Sequence, residues 1–276
     1  MRYVDGPRPR LFGHRGESGE LPENTLPAFE AALAAGADRL ELDVHLTADG
    51  EIVVFHDPTL DRTTDATGPL ALRSFAELSR LDAGYQFTRP DGSTPFRGQG
   101  FRIPRLLEVL ERFPDIPLNI EIKPNDAAAI TGTLAALDQF QARPRTLLAA
   151  EALDLLRRIR AEAPDVLTGF AAEEVFAFMT AGMAGAQPGS TEGAAPERFP
   201  GFALQVPPSY QGMPIVTADF VSRAHGLGVE VHVWTINDEA EAEALLALGV
   251  DGLMSDHPGR IYAVLQRLGL RPPSTP

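Results

Sequence analysis

Three acidic residues lie in two short segments whose apolar residues alternate with other residues. The segments are Leu40-Glu41-Leu42-Asp43-Val44 and Leu118-Asn119-Ile120-Glu121-Ile122-Lys123. Alternate side chains of a β-strand point to the same face, so Glu41 lies beside Asp43, and Glu121 beside Lys123. Carboxylates that converge repel one another, and a divalent cation with oxygen ligands relieves that repulsion. Glu41, Asp43 and Glu121 are therefore candidate metal ligands. The alternative is neutralisation by arginine, or exposure beyond the sheet.

Two histidines flank this acidic pattern. His14 ends the first apolar run, and His56 follows the run Ile52-Val53-Val54-Phe55. If Asp49-Gly50 forms the centre of a tight hairpin, His56 lies opposite Asp43. Histidine changes its charge near neutral pH, so we interpret His14 and His56 as a general acid and base. The other four histidines are weaker candidates, with structural or surface roles.

Two residue types occur once each in this chain. Lys123 is the only lysine, whereas arginine supplies every other basic position. This preference indicates that arginine cannot replace lysine at position 123. The alternative is that the single lysine occurs there by chance. Trp234 is the only tryptophan, and it ends a strand-like run. If the strands form a β/α barrel, its side chain is predicted to face the barrel axis. A tryptophan of the core is the alternative there.

Composition excludes several classes of protein. The formal net charge of −14 disfavours a nucleic-acid partner, because an acidic surface repels phosphates. Cysteine is absent, which excludes disulfides, a thiol nucleophile and a cysteine-built zinc site. No apolar run is long enough for a membrane span, and the N-terminus lacks the apolar region of a secretory signal. We therefore expect a cytoplasmic protein without stable membrane insertion.

Strand-like runs alternate strictly with helix-like segments along the chain. Candidate strands are Leu11–Gly13, Arg39–Leu46, Leu118–Ile122, Thr146–Ala149, Leu167–Phe170, Ala203–Val206, Glu230–Thr235 and Gly252–Met254. Candidate helices are Leu26–Ala35, Leu106–Arg112, Ala127–Phe140, Glu151–Ala163, Ala172–Ala181, Ala218–Leu227, Asp238–Leu246 and Arg260–Leu268. Eight alternating units predict an α/β fold of the (β/α)8 TIM-barrel class, and a doubly wound open sheet is the less favoured alternative.

Two segments interrupt the alternation. Residues 57–103 contain several turn signals and are interpreted as a small insertion after the second strand, before the second helix. Loops at the carboxyl ends of barrel strands surround the active site, so this insertion is expected over its mouth. Gly182–Pro200 is rich in Gly, Ala and Pro and is interpreted as a mobile loop. We expect one barrel domain over residues 1–276.

Several of these residues also occur in the order typical of one enzyme family. The motifs are Gly13-His14-Arg15-Gly16, Pro22-Glu23-Asn24-Thr25, Glu41-Leu42-Asp43-Val44, Asp49-Gly50, His56-Asp57, Glu121-Ile122-Lys123 and Val233-Trp234-Thr235-Ile236-Asn237. In this order the chain resembles the glycerophosphodiester phosphodiesterase family from about Leu11 to about Pro258. Each motif alone is weak, but their shared order is specific.

The resemblance implies a reaction and a role for each matching residue. It implies hydrolysis of a small glycerophosphodiester to glycerol 3-phosphate and an alcohol, with one divalent metal ion, Mg or Ca. Glu41, Asp43 and Glu121 would be metal ligands, with His14 and His56 as the acid–base pair. Arg15 and Lys123 would hold the phosphate, and Trp234 would line the pocket. The resemblance does not define the oligomeric state.

Two competing functions remain open from the sequence. One is a metal-dependent barrel hydrolase that binds zinc through His-x-His after the first strand, a pair that this chain lacks. The other is a barrel that binds a phosphorylated ligand without turning it over. Candidates for every catalytic role are present, which favours the enzyme.

Overall fold

The structure is a computed structural model that describes residues 1–183 and 199–272. Most of the predicted loop at Gly182–Pro200 lies outside the described residues. None of the helices in the described part is both long and apolar enough to span a membrane.

Within the described residues, eight parallel strands form a nearly closed barrel surrounded by helices. The strands are β1 Arg10–His14, β2 Arg39–Leu46, β4 Leu118–Ile122, β5 Thr146–Ala149, β6 Leu167–Thr168, β7 Ala203–Val206, β10 Glu230–Val233 and β11 Gly252–Ser255. Neighbours in the chain are neighbours in the barrel, and β11 pairs with β1. A parallel bridge between Gly169 and Ala203 joins β6 to β7. This closure confirms the TIM-barrel prediction and excludes the doubly wound open sheet.

Three shorter strands, nine α-helices and two 3-10 turns, at Leu70–Leu72 and Arg143–Arg145, complete the described elements. The strands are β3 Ile52–Val54, β8 Ser209–Tyr210 and β9 Met213–Pro214. The helices are α1 Leu26–Ala34, α2 Phe75–Leu78, α3 Leu106–Arg112, α4 Ala127–Gln139, α5 Leu153–Glu162, α6 Ala172–Met183, α7 Ala218–Gly226, α8 Glu239–Ala247 and α9 Pro258–Arg267. The predicted strands at 167–170 and 230–235 were too long, because the regular strands end at Thr168 and Val233.

Strand alternation divides the core into two layers. In β2, Leu40, Leu42 and Val44 pack outward in the main cluster under the helices. The opposite face carries Glu41 and Asp43, which point into the barrel as the alternation predicts. The interior also contains a separate apolar cluster that includes Tyr3, Phe12, Leu147 and Met254. The barrel is therefore packed in its interior, and its carboxylates lie towards the carboxyl end of the strands.

The hairpin between β2 and β3 differs from its prediction by one residue. A two-residue turn at Asp49-Gly50 would place His56 opposite Asp43, but Leu46 pairs with Ile52, and the Phe55 N–H donates to the Asp43 carbonyl. The loop has three residues because Gly50 adopts a positive φ of 84°. The predicted pairing of His56 with Asp43 is therefore wrong, because Phe55 lies opposite Asp43 and His56 follows Phe55.

The segment between β3 and α3 folds beside the mouth of the barrel. It contains a 3-10 turn at Leu70–Leu72 and helix α2, and a small apolar cluster around Leu60, Leu70 and Leu78 holds it together. Its Arg62 pairs with Glu23 of the β1–α1 loop. Because that loop follows the carboxyl end of β1, this part of the segment lies at the catalytic face of a TIM barrel.

Candidate active site

The three predicted metal ligands meet at the carboxyl ends of β2 and β4. Strand register places Asp43 beside Glu121, and the neighbouring register of β1 and β2 places His14 beside Glu41. One carboxylate oxygen from each of Glu41, Asp43 and Glu121 lies within 4.8 Å of the other two. Glu41 and Asp43 are buried, whereas Glu121 is partly exposed. The site is therefore open to solvent on the Glu121 side.

Two cationic side chains and one amide surround Asp43. Lys123 Nζ lies 3.0 Å from Asp43 and 2.9 Å from Glu121. Arg15 Nε lies 3.2 Å from Asp43, and Asn24 Nδ2 donates to it at 2.9 Å. Burial alone would raise the pKa of Asp43, but the charges of Lys123 and Arg15 outweigh burial and lower it. Asp43 is therefore held as a carboxylate.

Glu41 is the least compensated acidic group of the cluster. Its carboxylate accepts the Arg15 backbone N–H at 3.1 Å, and His14 Nε2 lies 4.0 Å away. Burial and the negative charge of Asp43 raise the pKa of Glu41 to about 7. A buried carboxylate of this kind gains most from a nearby cation. The donors of Glu41, Asp43 and Glu121 are all carboxylate oxygens, so the residues fit a hard cation such as Mg or Ca.

His14 forms a hydrogen-bonded pair with Asp256, the residue that follows β11. The distance from His14 Nδ1 to Asp256 Oδ1 is 2.6 Å. Ser18 Oγ donates to the same oxygen, and Asn237 Nδ2 donates to Oδ2. Burial lowers the pKa of His14, but the bond to Asp256 and the charge of Glu41 outweigh it and raise the pKa. Since Nδ1 is occupied, Nε2 is the nitrogen that faces the acidic cluster.

His56 forms a second pair of the same kind. Its Nδ1 lies 2.5 Å from Asp57 Oδ1, and its backbone carbonyl lies 2.9 Å from His45 Nε2. Arg62 donates to both oxygens of Asp57. The hydrogen bond from Arg62, with help from that of His56, lowers the pKa of Asp57 to about 2. Asp57 is therefore a fixed anion that orients the imidazole of His56.

A tight turn after β1 brings Arg15 back over the cluster. Arg15 adopts a positive φ of 56°, and Gly16 follows with a φ of 91°. A Cβ atom at Gly16 would lie 2.6 Å from the backbone of Ala28, so only glycine fits there. The guanidinium of Arg15 is held between Asp43 and Glu23. Helix α1 begins at Leu26, and Thr25 is its N-cap.

Trp234 lies directly after β10 at the same end of the barrel. Its backbone N–H donates to the Val206 carbonyl at 3.2 Å, and 40 % of the residue is exposed. A tryptophan of the core would be buried. Its predicted contact with the substrate stays a prediction.

Several residues of the site carry no predicted role. Asp256 is the partner of His14 although 242 residues separate them, and no local spacing indicates that contact. Asp57 directly follows His56 in the sequence, so its contact with that histidine was predictable from their adjacency. Arg62 and Asn24 reach the site through loops, so their contacts depend on how the loops fold.

The chain is similar to proteins of one family over most of its length. The model of the Glycerophosphoryl diester phosphodiesterase family matches residues 14–260. A glycerophosphodiester phosphodiesterase from Bacillus altitudinis is 31 % identical over 94 % of this chain and 99 % of its own length. A lysophospholipase D from Rattus norvegicus is 27 % identical over 94 % of this chain and 87 % of its own.

A solved structure shows the same fold with a product bound. This phosphodiesterase from Oleispira antarctica, in complex with the product sn-glycerol-3-phosphate, is 29 % identical to the chain. The likeness covers 94 % of this chain and 97 % of the Oleispira chain, with a TM-score of 0.75. The family match, the barrel and the cluster at its mouth together establish that the chain belongs to the glycerophosphoryl diester phosphodiesterase family.

Proposed function

We propose that this protein hydrolyses small glycerophosphodiesters to glycerol 3-phosphate and an alcohol, with a divalent cation and two acid–base histidines. The observation that carries the proposal is the acidic cluster of Glu41, Asp43 and Glu121 with a histidine–carboxylate pair on His14 and another on His56. Phosphodiester hydrolysis needs stabilisation of negative charge and two proton transfers, and this arrangement supplies groups for both.

Glu41, Asp43 and Glu121 would hold the cation through their carboxylate oxygens. When bound, Mg or Ca supplies positive charge that polarises the phosphoryl group and offsets charge in the transition state. Arg15 and Lys123 add to that charge from the protein side. Both remain protonated, since neighbouring carboxylates outweigh burial and raise the pKa of each. Their ion pairs with Asp43 also fix where the two cationic groups lie.

The histidines carry the protons through their Nε2 atoms. Asp256 occupies Nδ1 of His14, and Asp57 occupies Nδ1 of His56, so each imidazole is held in one orientation. One histidine accepts a proton from the nucleophile, and the other donates a proton to the leaving alkoxide. The nucleophile is water or the adjacent hydroxyl of the glycerol moiety. The second route passes through a cyclic phosphate.

The substrate side of the proposal rests on the relatives and on Trp234. A structural relative holds glycerol 3-phosphate as its product, which matches a small-molecule substrate with a glycerol moiety. The exposed ring of Trp234 offers a flat apolar surface at the mouth for the glycerol carbons or the head group. The mammalian relative is named for an activity on lysophospholipids. Turnover rates on glycerophosphodiesters with and without an acyl chain would distinguish a lysophospholipid substrate from a small deacylated one.

A turnover assay on glycerophosphocholine with added Mg or Ca tests this function. The proposal predicts release of glycerol 3-phosphate at a rate proportional to enzyme concentration. Binding of the substrate without product would instead indicate a phospholigand-binding barrel. Tightly held zinc in the purified protein would favour the competing class of zinc hydrolases, which the all-carboxylate cluster disfavours.

A further inference from the structure

Arg62 joins two carboxylates through a pair of hydrogen-bonded forks. Its Nε and NH2 donate to the two oxygens of Asp57 at 2.6 and 3.0 Å. Its NH1 and NH2 donate to the two oxygens of Glu23, each at 2.7 Å. The guanidinium thus spans the segment after β3 and the loop after β1, and each carboxylate receives a bidentate contact.

Each of these two carboxylates contacts a different residue of the candidate site. Asp57 receives the Nδ1 contact of His56 at 2.5 Å, and Glu23 accepts from Arg15 NH1 at 3.1 Å. Arg15 in turn lies 3.2 Å from Asp43 of the acidic cluster. Arg62 is therefore one contact removed from an acid–base candidate and one contact removed from a phosphate-binding candidate.

The charges of this network depend on Arg62. Burial would raise the pKa of Glu23, but hydrogen bonds from Arg62 and the charge of Arg15 outweigh burial and lower it. The hydrogen bonds from Arg62 are the largest cause of the low pKa of Asp57. Two carboxylates that share one cation repel each other when that cation is removed. Without Arg62, Asp57 and Glu23 would lose the group that fixes their positions.

Arginine is the one side chain whose geometry allows both forks. A guanidinium has five N–H donors in a fixed plane, whereas an ammonium is a compact charge without a planar fork. A lysine at position 62 would keep the charge but could not bind both carboxylates in the bidentate manner. The substitution Arg62→Lys therefore separates orientation from charge.

We propose that Arg62 is a positioning residue that sets the orientation of His56 through Asp57 and of Arg15 through Glu23. The inference rests on the proposed function, because it assigns those two residues to catalysis and phosphate binding. Arg62 touches neither the acidic cluster nor the reacting atoms by itself. Its loss acts on kcat through His56 and on KM through Arg15.

A simple tether between the segment and the barrel is the competing explanation for these contacts. Arg73 gives a matched control, because it lies in the same segment, is equally exposed and pairs with Glu77 away from the site. The side chains of Arg62 and Arg73 are 47 % and 45 % exposed. A tether would make Arg62→Lys change stability and leave the kinetics of the folded protein unchanged.

The test measures kcat and KM on glycerophosphocholine for wild type, Arg62→Lys and Arg73→Lys, with melting temperatures. We expect Arg62→Lys to lose about tenfold or more in kcat, by analogy with outer-shell partners of metal ligands, whose loss costs about 10–100-fold. KM should rise as well, while Arg73→Lys behaves as wild type. A double-mutant cycle with His56→Ala adds the decisive comparison. In the His56→Ala background, Arg62→Lys should cost little further kcat, but the rise in KM should persist.

Two outcomes would overturn the inference. One is a wild-type kcat in Arg62→Lys, and the other is the same fold-loss of kcat with and without His56. The first result would assign Arg62 to the tether, and the second would show that Arg62 acts on kcat by a route other than the orientation of His56. Failure of the proposed function is a separate result, because it would leave the wild-type protein without turnover or His56→Ala with full activity.

Discussion

The two candidate acid–base histidines differ in what fixes their rings. His14 is bound to Asp256, which lies at the opposite end of the sequence and receives hydrogen bonds from Ser18 and Asn237. His56 is bound to the adjacent Asp57. The orientation of His14 therefore depends on closure of the barrel between β11 and β1. The orientation of His56 depends on the loop after β3.

Loss of either histidine should impair the chemical step. We predict that His14→Ala and His56→Ala each lower kcat by about 10²–10⁴, the range for a positioned acid or base. The double variant should raise the free energy of activation by less than the sum of the two single variants, because the pair acts in one step. Near-normal kcat in a single variant, under conditions in which chemistry limits the rate, would remove that histidine from the mechanism.

Lys123 is placed where a compact cation fits and a broad one does not. Its ammonium lies within 3.0 Å of both Asp43 and Glu121, and its side chain is 20 % exposed. A guanidinium at this point would pair with the carboxylates in forks and compete with a bound cation. We predict that Lys123→Arg lowers kcat/KM although charge is conserved, and that Lys123→Met lowers it at least as much. Metal occupancy should be measured in both variants. Wild-type kinetics in Lys123→Arg would show that arginine serves equally well at position 123, which would contradict this prediction.

At the scale of elements, the end of β10 determines where Trp234 lies. After β10, the Trp234 N–H donates to the Val206 carbonyl of β7. Two residues later, the Ile236 N–H donates to the Met254 carbonyl of β11. We predict that Trp234→Phe raises KM more than it lowers kcat, because a smaller ring contacts less of the substrate. Steady-state kinetics and a thermal melt check this. Lower stability with unchanged kinetics of the folded fraction would assign Trp234 to packing.

Strand periodicity predicted the central elements of the site well. The bounds of β2 and β4 agree with the predicted runs, and strict alternation of apolar residues leaves one register for each strand. That register places Glu41, Asp43 and Glu121 on the inner face. The convergence of these three candidate metal ligands was therefore predictable from the sequence.

Loop geometry and tertiary contacts were not accessible in the same way. The β2–β3 turn was predicted one residue too short, because Asp-Gly fits more than one hairpin loop, and Thr47 stabilises the longer loop through Asp49 and Glu51. The contacts of Asp256 with His14 and of Arg62 with Glu23 join segments far apart in sequence. Periodicity contains no information about such pairs.

At the scale of the whole molecule, a buried charge network closes the amino-terminal end of the barrel. Glu230 of β10 accepts two hydrogen bonds from Arg10 of β1, which is fully buried, and one of its oxygens lies 2.9 Å from His232 Nε2. These contacts cross β11, which separates the two strands. Burial would raise the pKa of Glu230, but the hydrogen bonds outweigh burial and lower it to about 2.

This network predicts how stability changes with pH. A carboxylate whose pKa is lowered in the folded state stabilises the fold above its unfolded pKa of 4.5. That contribution is lost as the pH falls through about 2. Glu230→Gln should cost about 3 kcal/mol at pH 7, because Arg10 would be left buried without its partner. Urea denaturation should show this difference from wild type shrinking as the pH falls from 4.5 towards 2.

An exposed ion pair provides the control for this measurement. Glu243 binds Arg267 on the surface, where its side chain is 43 % exposed. Glu243→Gln should therefore change the free energy of unfolding by less than about 1 kcal/mol. An equally small change in Glu230→Gln would contradict the assigned role of the buried network.

The central claim is that a divalent cation at Glu41, Asp43 and Glu121 is needed for phosphodiester hydrolysis, and a chelation experiment tests it most directly. Turnover of glycerophosphocholine is measured in excess chelator, with the metal content of the sample determined, and again after Mg or Ca is added back. We predict that turnover stops in the chelator, that the fold persists, and that added metal restores the rate. Glu41→Gln, Asp43→Asn and Glu121→Gln should each need more metal for half-maximal activity. Full activity in excess chelator, with no metal detected in the protein, would contradict the claim.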